Sequence, residues 1–117
     1  MLVASFTLVV AGLAIYRVGV KSADGTLPPQ TTMGLRTRTT LSSDEAWYAA
    51  QRASADLVKA SGVLSVIGGL VSIPVYDQDA LAATIVLGTA LLLLIIAGWA
   101  AVRGQAAAKE VIEEARP

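Results

Sequence analysis

The sequence predicts an all-α membrane protein: three transmembrane helices, a cytoplasmic interfacial amphipathic helix between the first and second, the N-terminus outside and the C-terminus cytoplasmic. Three observations carry this. Of 117 residues 55% are hydrophobic and only 15% charged, against about 25% charged in a typical soluble domain. The mean hydropathy is +0.64. All nine basic residues fall in just two stretches of the chain, Arg17 to Lys59 and Arg103 to Arg116.

A helix needs roughly 20 apolar residues to cross the hydrocarbon of a bilayer, and the spans are assigned by that measure. The first covers residues 2–20, with Arg17 reaching back to the headgroups. Cleavable signal peptides carry their basic residues before the apolar region, and here they come after it, so a retained helix is expected. The second span, 60–76, is diluted by Ser61, Ser65, Ser72 and three glycines and ends near Pro74, yet two crossings alone would leave Val63 to Val75 in water. The third, 81–102, holds no charge and contains the run Leu91 to Ile96.

Orientation follows from the basic residues near the span ends. Arg17, Lys21, Arg36, Arg38, Arg52 and Lys59 lie between the first two spans, and Arg103, Lys109 and Arg116 follow the third. The Asp77-Gln78-Asp79 turn between the second and third has none, which places the basic residues on the cytoplasmic side.

Residues 21–43 are rich in glycine, proline and threonine and read as a cytoplasmic loop. Ser42 is a candidate helix cap answered by Glu45, with Leu41 stapling to Ala46, so a helix is expected over 43–59. Along it Asp44, Tyr48, Gln51, Arg52, Asp56 and Lys59 form a polar stripe, in which Arg52 and Asp56 are spaced to pair. Ala46, Trp47, Ala50, Ala53 and Leu57 lie on another side. This pattern predicts a helix resting on the membrane surface with Trp47 and Tyr48 as interfacial anchors, joining the second span directly or through a bend near Gly62. The tail, 103–117, is alanine-rich and continues the third helix, with Lys109 and Glu113 spaced for a surface pair.

Composition restricts the chemistry. Without histidine or cysteine, a Ser-His-Asp triad, a Cys-His pair, a zinc site and a disulfide framework are impossible, and no metal or other cofactor is expected. The carboxylates Asp44, Glu45 and Asp56 read as cap and salt-bridge residues, so the chain is expected not to be an enzyme. With no ionisable residue deep within a span, ion-coupled transport by the monomer has no carrier. No nucleic-acid partner is expected.

Two features suggest binding. Gly34, Arg36, Thr37, Arg38 and Thr40 form a loop whose guanidinium and hydroxyl groups suit an anion, either a lipid phosphate or a partner's carboxylate. The plain alternatives are that the arginines only obey the positive-inside bias, or that Arg36 pairs with Asp44, Glu45 or Asp56. Ser61, Ser65 and Gly69 recur at four-residue intervals, a spacing that lets helix backbones approach closely in lipid. More small residues, among them Gly88, Ala97, Gly98 and Ala101, lie in the third span than a three-helix bundle needs, which points to a larger membrane assembly as partner.

The run Gly34-Leu35-Arg36-Thr37-Arg38-Thr39-Thr40, with Trp47 seven residues on and then Gln51-Arg52, resembles the SdpI family of small bacterial membrane proteins. The likeness covers about residues 27 to 102, and many family members carry histidine at the position of Gln51. It implies a multi-pass protein of the bacterial plasma membrane. The family's best-known member protects its producer against a secreted toxic peptide and relays a signal by holding a repressor at the membrane. The functions expected on these grounds are an accessory or regulatory subunit of a larger assembly such as a transporter, or an immunity and signalling protein that binds a peptide or a cytoplasmic regulator.

Overall fold

The computed structural model describes residues 1–29 and 34–116; residues 30–33 of the predicted loop and Pro117 of the tail lie outside the described residues. Three helices account for most of the chain: α1 (Leu2–Asp24), α2 (Asp44–Ser72) and α3 (Asp79–Glu114), with a short 3₁₀ turn, Ile73–Val75, between the last two. No strand occurs among the described residues. All three helices are long and apolar enough to cross a membrane, as the hydropathy predicted. At 1.5 Å per residue they measure about 35, 44 and 54 Å, and the molecule is 61 Å long and 21 by 18 Å across.

Each boundary has a local cause. α1 runs past the predicted residue 20 to Asp24 and stops at Gly25, whose φ of 72° places it in the left-handed region while its N–H bonds the Lys21 carbonyl; glycine adopts that conformation without a Cβ penalty. α2 is capped by Ser43, whose hydroxyl accepts from the Ala46 N–H at 3.1 Å. The cap therefore sits one residue after the expected Ser42, whose own hydroxyl donates to the Thr39 carbonyl at 2.7 Å. Pro74 falls in the 3₁₀ turn that ends the α2 segment, where its missing N–H costs least.

The predicted surface helix over 43–59 requires correction. Of the two expected junctions the direct one is found, since this segment and the second span are one unbroken helix through Gly62. Ala46, Trp47 and Ala50 are fully buried against protein, so the side expected to rest on the bilayer instead packs on α3 and on the loop. The reason is energetic: α3 continues to Glu114 and offers this segment an apolar partner, Ala108 with Ile112, against which Ala46 and Ala50 bury. In consequence α2 and α3 together extend well beyond the roughly 30 Å a bilayer requires.

α2 is the central element. It packs along α1 on one side and α3 on the other, while α1 and α3 make almost no direct contact. Small residues set the spacing. A methyl group on Gly62 would lie 2.7 Å from both the Gly12 carbonyl and the Tyr16 nitrogen, and one on Gly69 would lie 2.6 Å from the Ser5 carbonyl. Two hydrogen bonds cross this interface within the apolar zone, Ser65 to the Leu8 carbonyl at 2.7 Å and Ser5 with Ser72 at 2.6 Å. Ser65 and Gly69, two of the small residues at four-residue spacing, both face α1. Ser61 instead bonds the Leu57 carbonyl and borders an open groove.

Candidate functional site

The antiparallel arrangement gathers the last turns of α1, the loop, the first half of α2 and the last third of α3 at one end of the molecule. All nine basic residues occupy that end or its approach, together with seven of the nine acidic ones, and the opposite end carries Met1, Asp77 and Asp79. The basic end is a head built around the loop, and the motif residues are its fasteners.

Leu35 is held at both backbone groups by one side chain. Its N–H donates to Gln51 Oε1 at 3.0 Å, and Gln51 Nε2 donates back to its carbonyl at 2.9 Å. Gln51 is 2% exposed. An amide is the side chain suited to this task, since it presents a donor and an acceptor side by side, as a peptide group does. Gly34, at φ 96°, passes so close that a Cβ would lie 2.9 Å from Gln51 Oε1.

Thr37 and Thr40 close the next turn. Thr40 Oγ1 accepts from the Thr37 N–H at 2.9 Å and lies 3.0 Å from the Leu35 carbonyl, while the Thr40 N–H donates to Thr37 Oγ1 at 3.2 Å. Thr37 Oγ1 then reaches Gln105 Oε1 on α3 at 2.8 Å, donating to it. The Leu35 side chain seats over Gly104, where an added Cβ would meet it at 2.5 Å. One loop of a few residues thereby joins α2 to α3.

Trp47 joins it to α1. The indole is fully buried in a cluster with Val18 and Leu27, and its Nε1–H donates to the Leu27 carbonyl at 2.7 Å. The expected interfacial anchor is thus an internal pillar, because the Leu27 carbonyl satisfies inside the protein the N–H that would otherwise seek the headgroup region. Tyr48 is half-buried against the same cluster. Arg36 lies over the Trp47 ring, 5.9 Å from its centroid, and its Nη1–H donates to the Pro29 carbonyl at 2.9 Å. Every buried side-chain nitrogen or oxygen among the described residues has a hydrogen-bond partner.

The rest of the expected stripe is dispersed. Gln51 points into the protein, whereas Arg52 and Asp56 are exposed and form no ion pair with each other. Arg52 Nη2 instead lies beside Gly25, where a Cβ would come within 2.6 Å of it. Arg38 is exposed, in a stretch where exposed Gly34, Arg36 and Arg38 alternate with half-buried Leu35, Thr37 and Thr39.

Sequence reasoning missed several participants. Leu27 and Leu35 contribute backbone groups, which no residue pattern marks. Gln105 and the row Ala100, Gly104 and Ala108 carried a readable signal: small residues four apart continuing past the end of the span, beside a lone amide in an alanine-rich stretch. Trp99, 57% exposed with Arg103 over its ring at 5.4 Å, fits the interfacial role assigned to Trp47, since an amphipathic ring beside a cation at the end of an apolar run sits at headgroup level.

Fold and site together define a multi-span helical membrane protein whose extramembrane loop is locked to its helices by a Gly-x-Arg-Thr-x-x-Thr motif, a tryptophan and an amide. The profile of the SdpI/YfhL protein family matches residues 26–102, well over half of the chain, and the protein belongs to that family. Comparison with curated proteins returns no match, and comparison with solved structures returns none.

Proposed function

We propose that the protein is a non-enzymatic accessory or regulatory subunit of a larger assembly in the bacterial plasma membrane, with its basic head cytoplasmic and its amino terminus outside. The outward face of α3 is the observation that supports this. Thr84, Gly88, Leu91, Ile95, Gly98 and Val102 recur at intervals of four and three, all exposed, and an added Cβ on Gly88 or Gly98 meets nothing within 4 Å. The glycines that pack inside this protein each lie against a neighbouring helix, so two open glycines among large apolar residues form the kind of surface on which another helix backbone approaches closely in lipid. The orientation rests on the basic residues at the head.

The test is co-purification. A chromosomally tagged copy extracted from native membranes in mild detergent should carry a membrane protein in stoichiometric amount, and Gly98→Leu should release it. Recovery of free protein alone would count against the subunit role.

Family membership favours a second reading, in which the protein confers immunity to a toxic peptide and sequesters a cytoplasmic regulator at the head. Deletion of the gene should then alter sensitivity to a secreted peptide or transcription of neighbouring genes. No change in either would remove this reading.

A further inference from the structure

Because α1 and α3 flank α2 with almost no direct contact, an apolar groove of about 500 Å³ remains between them, lined by Ile15, Val58, Ser61, Leu93, Ala97 and Ala100 among others. It extends along α3 from Ala90 to Ala100, about 15 Å at helical rise, on a face separate from the Gly88 and Gly98 surface.

The groove and the loop share one side of the molecule. Trp47, Gln51, Ser54, Val58 and Ser61 follow at intervals of four and three, and so lie along one face of α2. Trp47 and Gln51 hold the loop, while Val58 and Ser61 floor the groove. On α3, Ala97 and Ala100 line the groove, and Gly104 and Gln105, about one turn higher, receive Leu35 and Thr37. The loop therefore crosses the head of the groove, with Arg36 and Arg38 on either side of Thr37 and both exposed.

We propose that this groove and Arg38 at its head form a binding site for one anionic phospholipid, with an acyl chain in the groove and the headgroup phosphate at the Arg38 guanidinium. Charge and shape select this occupant. A guanidinium fork matches a phosphate, and Arg38 follows Thr37, whose hydroxyl bonds Gln105, two residues past Arg103, where the apolar run of α3 ends. A partner helix, about 10 Å wide with its side chains, would meet the loop at the top of the groove, whereas a lipid ends there in a charged group of the complementary sign.

The experiment uses the purified full-length protein in mild detergent, offered an equimolar mixture of phosphatidylglycerol and phosphatidylcholine with identical chains and read by native mass spectrometry. One phosphatidylglycerol should be retained, preferred roughly five-fold, the discrimination that one arginine beside an anionic headgroup supplies. Arg38→Gln should remove most of that preference, and Ala97→Phe, which fills the groove, should reduce retention of both lipids. If Ala97→Phe does not fold, as judged by circular dichroism, Ile15→Phe on the opposite wall makes the same test. Equal retention of the two lipids by the unmodified protein, undiminished binding in the folded groove variant, or displacement of the lipid by millimolar inorganic phosphate would each overturn the proposal. Because none of these readouts involves the Gly98 surface, their failure leaves the subunit reading standing, and the reverse holds too.

Discussion

The lipid-embedded half of this molecule and its basic head are held together in opposite ways. Between α1 and α2 the contacts are made by residues with almost no side chain, Gly12, Gly62, Ser65 and Gly69, which let backbones touch. In the head the same helices are fastened by large or polar side chains, Trp47, Gln51, Thr37 and Thr40, each satisfying a named backbone group. The difference follows from the solvent. In lipid, burying an apolar side chain between helices gains little over leaving it among acyl chains, so close approach and dispersion decide. In water, the removal of apolar surface and the satisfaction of buried polar groups decide.

This contrast can be broken from either side. Trp47→Ala carries the largest expected effect, a loss of about 3–5 kcal/mol from cavity formation at a fully buried aromatic, and it should fall on the head alone. Limited proteolysis should then cut the loop while the spans stay protected in vesicles. Gly62→Leu should act on the other half: with backbone atoms of α1 2.7 Å from its Cβ, the helices must separate, at a cost near or above the roughly 1–3 kcal/mol of ordinary overpacking. A lowered melting temperature in detergent, with loss of a Ser5–Ser72 double-cysteine crosslink, would report it.

Gln51→Leu comes next. It leaves both backbone groups of Leu35 without their partner, a cost of about 1–3 kcal/mol for each group that remains buried, and hydrogen exchange at the Leu35 amide should rise. Thr37→Val removes both the bridge to Gln105 and the acceptor of the Thr40 N–H and should cost about 1–2 kcal/mol, read as faster exchange at the Thr40 amide and at the end of α3. The smallest effect belongs to Gly98→Leu, which meets open space and should change the stability of the isolated protein by less than about 0.5 kcal/mol. A larger change would show that this face is packed within the chain.

Much of the architecture was legible because hydropathy and small-residue spacing are properties of consecutive residues. The three helices long and apolar enough to span a membrane and the continuation of α3 past Val102 were readable in this way. The surface helix misled because the pattern over Ala46, Trp47 and Ala50 specifies an apolar face and says nothing about what covers it. A bilayer and a neighbouring helix impose the same periodicity, and the choice between them turned on the length of α3. Gln51 was placed on a polar stripe for a similar reason: an amide reads as a surface residue until a backbone peptide is found opposite it.

By itself, the sequence determined that this chain has three segments apolar enough to cross a membrane and that its cations are confined to two stretches, because each of these depends on composition along a continuous segment. It also carried the motif that marks the family. Only the tertiary structure decided what the motif does within the fold. Gly34, Leu35, Thr37, Thr40, Trp47 and Gln51 act on backbone groups of Leu27 and Leu35 and on a side chain of α3, up to 68 residues away along the chain. Such pairings are set by the packing of three helices, and no local pattern encodes them.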